Sequence, residues 1–348
     1  MGDRTTGIAI LGAGRWGSHL VRNFAQMSAC RIVAIADPHR DCLQSVAHRC
    51  GLSADVLLTE NWQEAIAAAG VEAVAIATPA STHTVLVDAA LARGLHVLVE
   101  KPLTLNPQEA ENLCALAESK QLYLLVDHTY LFHPAVAAGK IALQSPGLGH
   151  LRYGYATRTH LGPVRSDVDA LWDLAIHDIA IFNHWLGDRP SFAQATGTAW
   201  LQSDTIDPLM GSNGLADVVW ATLTYANGFR ATLHLCWLNP DKQRRLCLVG
   251  QTGTLVFDEM QSQPLTLVKG QVRQEGAVFQ PEAQEHMEIQ VEPREPLNQV
   301  CAHFLTHIHS KSRPFISTGR VGLELIAILT ALTASVEQGG QTIQIHYS

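Results

Sequence analysis

Two residues spaced for proton transfer stand near the middle of the chain, Asp173 and His177, within Asp169-Ala170-Leu171-Trp172-Asp173-Leu174-Ala175-Ile176-His177-Asp178-Ile179. Their i, i+4 separation puts both on one face of a helix, within hydrogen-bonding reach. A carboxylate so placed stabilises the imidazolium that forms when a hydroxyl loses its proton, so the pair can act as a general base; the same spacing also serves a purely structural pair. A third reactive group ends the apolar run His96-Val97-Leu98-Val99-Glu100-Lys101-Pro102. The run reads as a buried strand that Pro102 stops, because proline lacks an N–H. Lys101 is thereby held at a strand end, and in an open parallel sheet that edge faces the ligand crevice. An ammonium there can point at a bound substrate. No His-Glu-x-x-His motif or paired His/Cys spacing accompanies the 17 histidines, so no metal site is expected.

These groups need a sheet to position them, and the N-terminal pattern supplies one. Gly7 to Leu11 is a short apolar run that leads into Gly12-Ala13-Gly14-Arg15-Trp16-Gly17 and then a helical pattern. Strand, glycine turn and helix in this order make a dinucleotide site: Gly12 permits the turn, Gly14 lets backbone approach a pyrophosphate, and Gly17 allows the helix to pack closely, with Arg15 and Trp16 carried in the turn. A second strand, Ile32 to Ala36, ends in Asp37, where an acid binds the ribose hydroxyls. Asp37 favours NAD over NADP by repelling a 2′-phosphate, although Arg40, three residues on, is suited to pair with one. Further strand and helix units follow through Val71 to Ala77, His96 to Glu100 and Leu122 to Val126. The expectation is an α/β fold that begins with a Rossmann doubly wound parallel sheet over residues 1–127.

The pattern changes after Asp127-His128-Thr129-Tyr130. Strand segments with turn chemistry take over, and Asn227-Gly228 between two β-rich runs marks a hairpin. Residues 128–348 are therefore expected to form an α+β domain with an open, mostly antiparallel sheet, used for substrate binding and oligomerisation. Lys269 to Pro296 is the least regular stretch and reads as loops and edge strands. Too few helices follow to cover both sheet faces, which predicts a homodimer or homotetramer.

Composition excludes several partners. The net charge of −8 argues against nucleic acid and anionic membranes, both of which call for a basic surface. Seven scattered cysteines without a Cys-x-x-Cys pair point to a reducing compartment, the cytoplasm. The apolar run Leu323 to Val336 reads as too short to span a membrane and carries Glu324. An anionic substrate would have to be met by a local basic cluster, and Arg152, Arg158 and Arg165, just ahead of the Asp173 helix, can form one.

The N-terminal glycine turn, Ala77-Thr78-Pro79-Ala80-Ser81-Thr82-His83, Glu100-Lys101-Pro102-Leu103 and Asp173-Leu174-Ala175-Ile176-His177-Asp178, in this order, resemble the Gfo/Idh/MocA oxidoreductases over nearly the whole chain. The resemblance implies that Lys101, Asp173 and His177 form the catalytic constellation and that Thr78, Pro79, His83 and Glu100 line the nicotinamide side of the groove. Leu171-Trp172-Asp173 and Val164-Arg165-Ser166-Asp167 are similar to members acting on nucleotide-linked sugars, with Tyr130, Arg158 and Arg165 as substrate contacts. Ala175 and Ile176 depart from the glycine and proline of many relatives. The implied reaction is hydride transfer between NAD and a secondary hydroxyl of a sugar, with a free cyclitol or aldose as the alternative substrate. A cofactor-bound regulatory or scaffold protein is the alternative of another class; retention of Lys101, Asp173 and His177 together counts against it.

Overall fold

The structure, a computed structural model, describes residues 5–201, 214–312, 314 and 316–347. Among them, short apolar runs alternating with helices wind a six-stranded parallel sheet from β1 (Thr6–Leu11), β2 (Cys30–Ala36), β3 (Leu57–Thr59), β4 (Ala73–Ile76), β5 (His96–Glu100) and β6 (Leu124–Asp127). Their order is β3-β2-β1-β4-β5-β6, so the sheet reverses direction beside β1, where the glycine turn lies. Ligands bind at such a switch point. All six residues of β1 are buried, as are the four of β4, which explains why both read as continuous apolar runs without alternation.

The helix after β5 is set by local chemistry: the Asn106 side chain accepts from the N–H groups of Gln108 and Glu109, and Pro107 opens helix Pro107–Ser119. Ser81 or Thr82 stands where a cap for the helix His83–Ala92 would be placed. Thr82 instead donates its hydroxyl to the Pro79 carbonyl at 2.7 Å and leaves that helix without a side-chain cap.

Two compact units emerge, the chain up to Phe132 with Glu295–Ile326, and His133–Arg294 with Ala327–Ser348. The sequence reading places a single division at 127/128; the late return to the first unit has a packing cause. Leu297, Val300, Cys301, Phe304 and Ile308 of helix Pro296–Ser310 join one core with Ile8, Ile10, Leu20 and Phe24, covering apolar sheet surface that the N-terminal helices leave open.

The second unit holds β7 (Leu151–Leu161), β8 (Pro190–Thr198), β9 (Val218–Tyr225), β10 (Arg230–Cys236), β11 (Leu238–Gly250), β12 (Gly253–Asp258), β13 (Leu265–Glu275), β14 (Val278–Glu288) and β15 (Ile343–Gln344) in the order β14-β13-β12-β11-β7-β10-β9-β8-β15. Every pairing is antiparallel except β10 with β7. The Asn227-Gly228 hairpin forms, with Gly228 at φ +83°. The stretch after Lys269 is not irregular: β13 and β14 form one long edge hairpin whose register runs from Thr266–Glu288 to Glu275–Val278. Its polar sequence reflects exposure on both sides, as charged edge strands resist further pairing.

Along β9 the residues alternate, with Val219, Ala221, Leu223 and Tyr225 buried and Trp220 57% exposed on the opposite face, where it stacks on His234. The apolar run Leu323 to Val336 lies within helix Gly319–Glu337, which is long and apolar enough to cross a membrane. Its Leu325, Ile326, Ile328, Leu329 and Leu332 are nonetheless at most 1% exposed, as in a core helix.

Candidate active-site residues

At the glycine turn, Gly12 has φ +95°, and a Cβ on it would lie 2.4 Å from the Ala77 carbonyl oxygen. A Cβ on Gly17 would lie 1.9 Å from the Gly12 oxygen, so only glycine lets this helix seat on the turn. Gly14 has open space on its Cβ side and precedes helix Arg15–Ala25, whose N-terminus no side chain caps. Those amides form an anion site suited to a pyrophosphate. Asp37, 8% exposed, accepts from the N–H of Ala13 at 2.7 Å and of His39 at 2.9 Å. Each carboxylate oxygen keeps a second lone pair, which suits a ribose hydroxyl. Arg15 and Trp16 are exposed in the first helical turn, and Arg40 is exposed at the first residue of helix Arg40–Cys50. The residues present therefore fit a nicotinamide dinucleotide.

The structure corrects the expected role of His83. Its ring is fully buried, with Nδ1 2.8 Å from the Pro102 carbonyl and Nε2 3.0 Å from the Thr78 carbonyl. It braces the backbone after β4 against the backbone after β5 instead of lining the groove. Thr78 is half-buried, its hydroxyl donating to that of Thr82, and Pro79 is exposed.

Lys101 is half-buried one residue beyond β5, and Tyr130 is half-buried in the turn Thr129–Phe132 that follows β6. Beneath Lys101, Glu100 stands opposite Asp127 in the register of β5 and β6. Burial raises both carboxyls above their usual range, their proximity to each other adding to the rise at Glu100, while the Lys101 ammonium opposes it. The next residue, His128, is 2% exposed; burial, with Lys101 adding to it, pushes its imidazole down to about 3. Ser317 Oγ donates to the Val126 carbonyl at 2.7 Å, so it accepts from His128 Nδ1–H at 2.9 Å, which fixes the neutral tautomer.

In the second unit Leu171–Ala175 coils as a single π-helical turn that runs into helix Ile176–Leu186. Asp173 lies in the π-turn and His177 in the first turn of the helix, both half-buried. Turns of this kind concentrate at functional sites. The helix seats on the sheet at Gly154, where a Cβ would lie 2.6 Å from the Phe182 ring, and Trp172 Nε1 donates to Thr333 Oγ1 at 3.0 Å. Arg165 joins two carboxylates: Nη1 donates to Asp173 Oδ1 at 3.1 Å, while Nε and Nη2 hold both oxygens of Asp167. This raises Arg165 and lowers Asp167 from their ordinary values. Asp169 does not join them; it accepts from the Trp172 N–H, and burial raises its carboxyl.

Arg158 is a second correction. It was expected to meet an anionic substrate, but it is 3% exposed and holds Asp178 in a bidentate pair at 3.0 and 2.8 Å. It fastens the His177 helix to β7, and Arg152 is exposed near the start of the same strand. A basic group that sequence reasoning missed lies on β11: Lys242 and Arg244 act electrostatically on His160, as does Asp173. The run Lys242-Gln243-Arg244-Arg245 was its signal.

The model of an oxidoreductase family with an NAD-binding Rossmann fold matches residues 6–128, and the GFO/IDH/MocA C-terminal domain matches residues 145–256. The chain is 30% identical over 247 residues to the UDP-N-acetylglucosamine 3-dehydrogenase of Acidithiobacillus ferrooxidans, covering 70% of each. A solved structure of that enzyme superposes with a TM-score of 0.81 at 24% identity, over 96% of this chain and 98% of the other. The NAD(+)-dependent scyllo-inositol 2-dehydrogenase of Bacillus subtilis is 24% identical over 75% of this chain and 76% of its own length.

Proposed function

We propose a substrate class from one premise: the chain belongs to the Gfo/Idh/MocA oxidoreductases and is an NAD-dependent dehydrogenase. The reaction we infer is oxidation of a secondary hydroxyl on a nucleotide-linked sugar. The observation that carries it is the 30% identity, across 70% of the chain, to a UDP-N-acetylglucosamine 3-dehydrogenase. His177 accepts the hydroxyl proton, Asp173 stabilises the imidazolium, and Lys101 donates a hydrogen bond to the oxygen as alkoxide character develops. Bound NAD supplies the hydride acceptor. The amides after Gly14 hold its pyrophosphate and Asp37 its ribose, and Asp37 disfavours the 2′-phosphate of NADP. Arg165 and Tyr130 contact the substrate, and the Trp220 face carries self-association.

A second reading, a free cyclitol or aldose, draws support from the arginines. Arg158 is committed to Asp178 and Arg165 to two carboxylates, which leaves less positive charge for a diphosphate. A turnover panel of UDP-N-acetylhexosamines, inositols and free aldoses with NAD and NADP separates the two. UDP-sugars with NAD are expected to turn over fastest, and Lys101→Ala to lower that kcat by ~10²–10³-fold, as for loss of one oxyanion donor. Faster turnover of every free polyol selects the second reading.

A further inference from the structure

Glu100 and Asp127 present an accounting problem. They are 8% and 1% exposed and directly opposed on paired strands. Thr129 Oγ1 donates to Asp127 Oδ1 at 2.7 Å, yet Glu100 Oε1 and Asp127 Oδ2 find no donor among the described residues. The register sets these two unsatisfied oxygens on neighbouring strand ends, both closed to water. Two carboxylates cannot bond without a proton between them, and two adjacent buried negative charges are strongly unfavourable.

We propose that Glu100 and Asp127 share one proton at neutral pH, and that the single negative charge they retain holds the Lys101 ammonium in place. Asp127 is then a positioning residue that acts through Glu100 on Lys101. The other groups facing the pair agree with this assignment. His128 is kept neutral by burial and by Lys101, so it adds no charge. From helix Pro296–Ser310, Cys301 faces both carboxyls, and its thiol is raised by burial and by them, so it too stays neutral. Cys30 and Glu295 act on Cys301, and the Cys30 thiol is itself pushed up to about 12 by burial. Lys101 is therefore the cation available to the pair among the groups that act on it.

The catalytic part of this inference rests on the role proposed above for Lys101; the shared proton does not. The test uses infrared difference spectra and amine labelling, neither of which needs substrate. At pH 7 the wild-type protein is expected to show a protonated-carboxyl C=O band that Asp127→Asn removes, because the amide then donates to an ionised Glu100. Labelling of Lys101 by an acylating reagent at fixed pH should be nearly unchanged in Asp127→Asn, which keeps one negative charge. It should rise by about tenfold in Glu100→Gln/Asp127→Asn, which keeps none. Absence of the band from the wild-type protein, its survival in Asp127→Asn, or equal labelling in all three proteins would overturn the proposal. Normal turnover by Lys101→Ala would instead remove the lysine from the reaction and leave the shared proton standing.

Discussion

Two clusters, one in each unit, keep their charged groups in opposite ways. In the first, Glu100, Asp127 and His128 are nearly closed to water, and burial drives the carboxyls up and the imidazole down, toward neutral forms. In the second, Asp178, Asp167 and Asp173 each meet an arginine in an ion pair. Desolvation disfavours charge, whereas a partner within hydrogen-bonding distance restores it. The first cluster is therefore suited to holding and sharing protons, and the second to holding fixed charges in fixed directions.

The sharpest way to break this contrast is to remove a partner in the second unit. Arg158→Met leaves Asp178 buried without its arginine, and should cost ~3–5 kcal/mol in urea unfolding, with Arg158→Met/Asp178→Leu recovering most of it. A loss below about 1 kcal/mol in the single variant would mean that the pair does not fasten the helix.

His128 gives an intermediate effect. Its folded value, about 3, lies below its unfolded value of 6.5, so between these limits the unfolded chain binds more protons. The stability it supports is complete above pH 6.5 and is lost as pH falls toward 3. Glu100 and Asp127, shifted upward, work in the other direction, contributing stability that is lost as pH rises through their folded values. Comparing wild type with His128→Asn isolates the histidine: the variant should escape an acid-side loss that approaches ~1.4 kcal/mol per pH unit. Parallel stability curves for the two proteins would show that His128 takes up its proton without unfolding.

Arg165→Leu should have the smallest effect on stability, under ~1 kcal/mol, because both of its ion pairs are partly exposed. Its readout is KM, expected to rise for a UDP-sugar more than for a free sugar. An equal rise for both would make Arg165 a support for Asp173 instead of a contact for the anionic group.

The sequence by itself determined the features that depend on near neighbours along the chain. Gly12 and Gly17 specify their turn because the positive φ of the first, and the clash that a Cβ on the second would make with the Gly12 oxygen, both arise within six residues. Lys101 at a strand end, the Asn227-Gly228 hairpin and the winding of the first sheet follow from the same short-range rules. Tertiary structure alone decided which charged groups face water and which face each other. Arg158 and Arg165 are the same residue type seven positions apart, and no local pattern separates the one sealed against Asp178 from the one at the surface. Asp127 reads as an ordinary strand end until β6 is laid beside β5 and sets it opposite Glu100. Helix Pro296–Ser310 returns to the first unit because apolar sheet surface there needs covering. Burial and pairing depend on residues distant in the chain, and they set charge state as firmly as residue type does.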